Sequence, residues 1–410
     1  MRSALVCGAG IAGATVAWQL AARGVHVTVV EKAAGQRSSG NPVDVHGEAM
    51  LVARQMAVDE RVRDAATGVR RLVALDPSGR RVATIAADSV TGGADGVEVP
   101  RADLAGILLD AAKQRANVVF DDSIARLEEH PGGVGVEFES GSSGRFDIVI
   151  GADGQHSRVR ALAFGPEGNF SHRIGMFVGT VSAPGATVDP EEMTMVNAPG
   201  VSFSLHPSTG VPIGAFIFHS ALAESFDHRD TAQHRRIVAD AYSDVGWRVP
   251  EFVERFVDAP EVYFDTVTQM RLDAWHRGRI VLLGDSASSV SLFGDGSSLA
   301  MIGARTLAEA LADHADPADA FAEYERRHRM LVMPKQKRVR TTASQLVPKT
   351  AAGLRVRNLA LRGIQAYSGI RRRVHRSRPA PHDARRLDAA SQNQDESGDS
   401  SARAAGGHAR

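Results

Sequence analysis

The sequence holds a single cysteine, Cys7, so no internal disulfide can form and a cysteine-based metal site is excluded. A reducing, cytoplasmic setting is the expectation, with no metal centre. Net charge is also missing: Lys+Arg 48 balances Asp+Glu 48, which leaves none of the basic excess typical of nucleic-acid binders. With 43% hydrophobic residues the chain does not have the composition of a disordered protein either. No stretch reaches the roughly 18 uninterrupted apolar residues of a membrane span. The apolar segment from Leu5 to Leu20, behind Arg2, is broken by Gly8, Gly10 and Gly13 and lacks a clear cleavage region, which argues against a signal peptide. Internal repeats are absent. At 410 residues and roughly 150 residues per domain, about two or three domains are expected, with a sizeable core.

The chain opens with an apolar run, Ala4 to Cys7, then helical spacing from Ile11 to Arg23, then a β-branched run from Val25 to Val30. Strand, helix and strand in that order make a βαβ unit, because parallel strands need a crossover. A helix is predicted over Asp103 to Ala112, with buried strands at Val118 to Phe120 and Phe146 to Ile150. The segments 72–97 and 171–270 read differently. Alternating runs at Val201 to His206 and Val211 to Phe218, joined by Pro207-Ser-Thr-Gly210, carry hairpin chemistry. The expected division is a discontinuous α/β domain (1–71, 98–170 and 271–330) with an inserted β-rich domain (72–97 and 171–270). A strand at Ile280 to Leu283 and helices at Ser297 to Leu311 and Ala318 to Met333 follow. A helical segment is expected over 331–372. From 373 to 410 clustered arginines and polar residues cannot bury enough surface to offset ordering entropy, and read as a solvated, disordered tail.

Three motifs carry chemistry. Gly8-Ala-Gly10-Ile11-Ala12-Gly13 follows a strand and opens a helix, the context of a dinucleotide fingerprint. Gly8 permits the turn, Gly10 admits a pyrophosphate, and Gly13 allows close helix–strand packing, with the phosphates on unpaired helix amides. Glu31, followed by Lys32, is placed to accept from ribose hydroxyls and disfavours a 2′-phosphate, which leaves NAD or FAD. Gly151-Ala-Asp153-Gly154-Gln-His-Ser157-Arg158 follows a second strand, and Gly284-Asp285 ends a third. Then come Ser291-Leu-Phe293-Gly294-Asp-Gly296-Ser297-Ser298, at the start of a helix.

Taken together and in this order, these motifs resemble the class A flavoprotein monooxygenases, the family of para-hydroxybenzoate hydroxylase, over about residues 1–315. The resemblance implies a Rossmann-like FAD-binding domain with an inserted β-rich substrate domain and a C-terminal helical segment. It implies that Asp285 holds the ribityl chain and neighbouring phosphate, that Arg101 contacts FAD, and that Asp153 and Arg158 serve FAD and a visiting nicotinamide nucleotide. Gly294 and Gly296, followed by Ser297 and Ser298, match the turn that brings amides to the flavin ring. Gly40-Asn-Pro-Val-Asp44-Val-His46-Gly47 is similar to a loop of tetracycline-modifying members that lies near the isoalloxazine; as bare residues, Asp44 and His46 read equally well as turn and surface groups. Departures are visible: Asp285 precedes Ser286-Ala287-Ser288, where the family usually has Ala-Ala-His, Ser291 stands where its Pro-x-x-Gly-x-Gly begins, and the interval before the glycine turn is one residue shorter.

The implied activity is oxygenation, chiefly hydroxylation, of an aromatic or polyketide-like molecule. NAD(P)H reduces the flavin and O₂ is activated as a C4a-hydroperoxide, so no Ser/His/Asp set is needed. Partners are then a small-molecule substrate, O₂ and NAD(P)H, with neither membrane nor nucleic acid, in a monomer or homodimer. Phe203, Phe216 and Phe218 either line the cavity or fill the sheet core, the latter being favoured by strand periodicity. Phe293 is a candidate wall residue. His206 and His219 are read as structural, and no catalytic base is nominated. A flavin halogenase is disfavoured because Trp18, Trp247 and Trp275 form no Trp-x-Trp element. A flavin reductase and a non-redox protein keeping FAD structurally stand as alternatives.

Overall fold

Ala4, Leu5 and Val6 are wholly buried because their strand, Ser3–Cys7, has parallel neighbours on both edges. A strand shielded on both faces reads as an unbroken apolar run, which is how this one is written. The sheet around it has six strands, in the order His276–Arg277, Ile280–Leu282, Ile148–Gly151, Ser3–Cys7, His26–Glu31 and Asn117–Phe120. Helix Ile11–Ala21 packs against helices Arg101–Lys113 and Asp295–Asp313, and all share the larger apolar core with this sheet. The computed structural model describes residues 1–35, 42–87, 96–208, 210–227, 230–290 and 295–376.

Phe146 to Ile150, expected as one strand, is split at Asp147. Ser143–Phe146 belongs to a three-stranded antiparallel sheet with Gly133–Phe138 and Ile124–His130, whereas Ile148–Gly151 joins the parallel sheet. Asp147 makes the corner: its carboxylate accepts the Ser3 amide at 3.0 Å, and its own amide donates to the Ser3 hydroxyl at 3.1 Å.

The expected hairpin is present, with Val201–His206 antiparallel to Ile213–His219. These strands sit inside a seven-stranded sheet ordered Tyr263–Met270, Ser171–Ser182, Ile213–His219, Val201–His206, Glu192–Ala198, Arg71–Leu75 and Arg81–Ala86. Helices Thr231–Ala241 and Val249–Asp258 lie in a stretch expected to be strand-rich. They bury Ile237, Val238, Phe252 and Phe256 against Phe177, Phe203, Phe216 and Phe218 in a second core. Phe203 and Phe252 centroids are 5.0 Å apart, and those of Phe216 and Phe256 5.4 Å. The phenylalanines of the hairpin are therefore sheet core, as periodicity favours.

A two-stranded ribbon pairs Pro42–Val45 with Val97–Pro100, so Asp44 stands directly across from Glu98. The helix expected to stop at Met333 is Pro317–Leu346, running through Pro334. An interior proline costs a helix about 3 kcal/mol, but Val339 and Ala343 beyond it are buried and hold the later turns in place. Helix Ala351–Arg376 follows. The chain divides into units 1–362 and 363–410, and the described part of the second, residues 363–376, is helical. The tail from 377 onward, Gly40, Phe293 and Gly294 lie outside the described residues.

Candidate active site

The fingerprint turn is held by contacts that only glycine allows. Gly8 adopts φ +98°, and a Cβ on Gly13 would lie 1.8 Å from the Gly8 carbonyl oxygen. Gly10 is different. It caps helix Ile11–Ala21 with no side-chain partner for the first-turn amides, and a Cβ there would meet nothing within 4 Å. The helix end thus opens onto empty space through Gly10, Ile11 and Ala12, the arrangement that receives an anion. Glu31 accepts the Ala9 amide at 2.8 Å and the Ala33 amide at 2.9 Å, so its carboxylate is fixed at the rim of that space.

Asp153 organises the second motif. It accepts from the Ser157 hydroxyl at 2.5 Å, the Arg158 amide at 2.6 Å and the Val159 amide at 3.0 Å, which starts helix Arg158–Ala163. Burial nevertheless raises its pKa above the ordinary carboxylate value. Arg158 donates to the carbonyls of Ile124 and Ala125 at 3.1 and 3.2 Å. The fully buried Arg160 reaches the Gln155 carbonyl at 2.6 Å, Glu167 at 3.2 Å and the Ser286 carbonyl at 3.1 Å, joining the second motif to the third. Gly284 carries the third loop onto the first helix: a Cβ there would lie 3.0 Å from that of Ala12. Asp285 is raised in pKa by burial, against Arg101 at 4.0 Å. The departure at Ser286 is structural, since its buried hydroxyl donates to the Gly151 carbonyl and again ties the second loop to the third.

Gly8, Gly10, Ile11, Ala12, Glu31, Lys32, Arg101, Asp153, Arg158, Asp285, Gly296 and Ser297 all line one cavity of about 1300 Å³. Gly13, Gly284 and Ser298 stand behind its wall, Ser298 donating to the Asp44 carbonyl at 2.8 Å. Asp44 and His46 line it too, and His46 Nε2 lies 3.3 Å from Asp295, which also pairs with Lys335 at 2.5 Å. The cavity exceeds the roughly 300–1,000 Å³ of a drug-sized site. It extends from the helix end to the seven-stranded sheet, where Val178, Met193, Met195, Ser204, His206, Ala215 and Ile217 face it. These positions alternate with Phe203, Phe216 and Phe218, which point to the other core. His219 stays outside the lining, its Nε2 3.1 Å from the Val347 carbonyl.

Sequence reasoning missed several wall residues. Burial lifts the Glu98 carboxyl to about 7, with Thr67 donating at 2.9 Å against the shift and Asp44 adding to it. Asp44 is itself raised, chiefly by burial. His156 spans Glu167 at 3.0 Å and Asp265 at 3.2 Å. Burial alone would lower its pKa, but the two carboxylates outweigh it and bring it to about 9. Alternation of Val97, Glu98 and Val99 marks Glu98 as the odd face of a strand; its partner Asp44 lies too far away in sequence to be read.

A family profile described as an FAD binding domain matches residues 1–333. The chain belongs to this FAD-binding family. A flavin-dependent monooxygenase of Legionella longbeachae is 31% identical over 342 residues, covering 81% of this chain and 86% of the relative. Another, from an unknown prokaryotic organism, is 30% identical over 329 residues, covering 79% and 84%. Among solved structures, tetracycline destructase Tet(55) superposes with a TM-score of 0.78 at 28% identity, over 89% of this chain and 96% of that one. The protein is an FAD-dependent monooxygenase. The residues present suit that cofactor: an open, uncapped helix end, an acid fixed beside it, and a cavity with room for more than one ligand. No helix among the described residues is long and apolar enough to cross a membrane.

Proposed function

We propose that this chain uses NAD(P)H and O₂ to oxygenate, most often hydroxylate, an aromatic or polyketide-like molecule held against the seven-stranded sheet. The observation that carries the reading is the continuous cavity from the fingerprint helix to that sheet. Bound FAD supplies the chemistry, accepting hydride equivalents from the nicotinamide and activating O₂ for transfer as an electrophilic oxygen. Everything else falls to the chain. The Gly10, Ile11 and Ala12 amides hold the pyrophosphate, and Glu31, with Lys32 beside it, orients the ribose. Asp285 and Arg101 hold the ribityl chain and a phosphate. The amides at Gly296, Ser297 and Ser298 face the ring, with Asp44 and His46 alongside. Asp153 positions Arg158 for the cofactor and for the visiting nicotinamide nucleotide.

The α/β portion (1–71, 98–170 and 271–330) would then be the cofactor domain and the β-rich portion (72–97 and 171–270) the roof that keeps water out. The helical segment 331–372 contributes Thr342 and Leu346 to the cavity wall. The protein is proposed to act in the cytoplasm, as a monomer or homodimer. Supplying FAD-loaded enzyme with NADPH, 2-naphthol and isotopically labelled O₂ tests the reading. Mass spectrometry is expected to show labelled oxygen in the product, whereas NADPH oxidation that yields only hydrogen peroxide with every phenol tried would contradict it.

A further inference from the structure

The sheet face of the cavity is apolar and, among the described residues, carries no lysine or arginine. Met193, Met195, Ala215 and Ile217 supply most of it, and methionine adapts readily to a flat ring system. Its polar groups are the pair Ser204 Oγ and His206 Nε2, 2.9 Å apart, and Tyr263 at the start of the edge strand. His206 is neutral. Burial drops its pKa to about 4, and its Nδ1 is enclosed without a partner, so an imidazolium would bury a second N–H with nothing to accept it. The cations on the cavity wall come from the cofactor side: Arg101 faces Asp285, Arg158 is bound to backbone carbonyls, His156 sits between Glu167 and Asp265, and Lys32 follows Glu31 at the fingerprint end. Facing the same cavity are the carboxyls of Asp44, Glu98 and Asp295. A substrate carboxylate seated against the sheet would therefore lose water and find no counter-charge on that face.

We infer that the substrate is an electrically neutral, hydroxylated fused-ring compound, recognised through one hydroxyl by the Ser204–His206 pair, and that aromatic carboxylates are excluded. The inference rests on the reading of this sheet face as the substrate chamber. The hydroxyl takes the free hydrogen-bonding capacity of Ser204 Oγ, and the rings lie on the methionines.

The test is a binding titration of the full-length, FAD-loaded protein at neutral pH. The flavin absorption spectrum is followed with 2-naphthol, 2-methoxynaphthalene and 6-hydroxy-2-naphthoate. The expected order is naphthol tightest, the methyl ether about fivefold weaker for lack of the donor, and the naphthoate weaker than naphthol by roughly 100-fold. Combining Ser204→Ala with His206→Phe should erase the preference for naphthol over its ether while the ether still binds. Met195→Arg, which places a cation on the face, should bring naphthoate to within roughly tenfold of naphthol. Naphthoate binding as tightly as naphthol to the unaltered protein would overturn the inference and leave the chamber reading intact. Equal affinity for naphthol and ether would overturn the role of the Ser204–His206 pair. Failure of both uncharged compounds to perturb the flavin would overturn the chamber reading, and the inference with it.

Discussion

Gly10 and Gly13 differ in what surrounds their α-carbons, and the difference separates folding from cofactor binding. Gly13→Ala would drive a methyl group into the Gly8 carbonyl, and should destabilise the protein by about 3 kcal/mol or more in chemical denaturation. Gly10→Ala enters open space at ordinary negative φ. Its denaturation midpoint should stay within about 0.5 kcal/mol of the original, while FAD, titrated into the apoprotein, should bind roughly tenfold more weakly. A Gly10→Ala protein that keeps full FAD affinity would remove the pyrophosphate from that helix end. Ser286 can be judged in the same way. Its hydroxyl is a buried donor to the Gly151 carbonyl, so Ser286→Ala, though it restores the family's usual residue, should cost about 1 kcal/mol of stability. The three glycines and Glu31 were legible in the sequence because their spacing is local. The role of Ser286 was not, because its partner lies 135 residues away.

The three loops that line the cavity are fixed to one another by side chains. Arg160 bridges the Gln155 and Ser286 carbonyls, and Arg160→Met should cost roughly 2 kcal/mol, read by denaturation, since it strands the buried Ser286 carbonyl and the part-buried Gln155 carbonyl. His156 joins the second loop to the roof strand Tyr263–Met270 through Asp265. Its pKa in the folded chain, about 9, lies above the ordinary 6.5. The stabilisation is therefore full below about 6.5 and is lost as pH rises through 9. Thermal midpoints should fall between neutral pH and about pH 9.5, and His156→Gln, which cannot titrate, should flatten that slope. An unchanged slope would show that other groups produce it. Strands and helices built on local periodicity, such as Ser3–Cys7, Arg101–Lys113 and the Val201–His219 hairpin, were readable in advance. Helices Thr231–Ala241 and Val249–Asp258 were passed over although they carry local signals, the cap Asp230 before the first and Val249, Phe252 and Phe256 at helical spacing around Pro250 in the second, because the alternating runs before them drew the whole stretch into strand. The break at Asp147 was hidden too, since apolar residues continue across it and only a partner strand shows where the sheet changes.

Across the whole molecule, two sheets and their separate cores enclose one cavity, which places the uncapped helix end at Gly10 opposite an uncharged apolar face. Motif order revealed the first half of that arrangement. The second half depended on which parity of each roof strand faces inward, and only the packed helices decide that. The central claim is that the three separated motifs together hold one FAD. The most direct measurement is the visible absorption spectrum of the purified full-length chain, with the pigment released by denaturation and identified by mass. The account predicts a yellow protein carrying one FAD per chain, retained through gel filtration. A folded chain that stays colourless after incubation with excess FAD would contradict it.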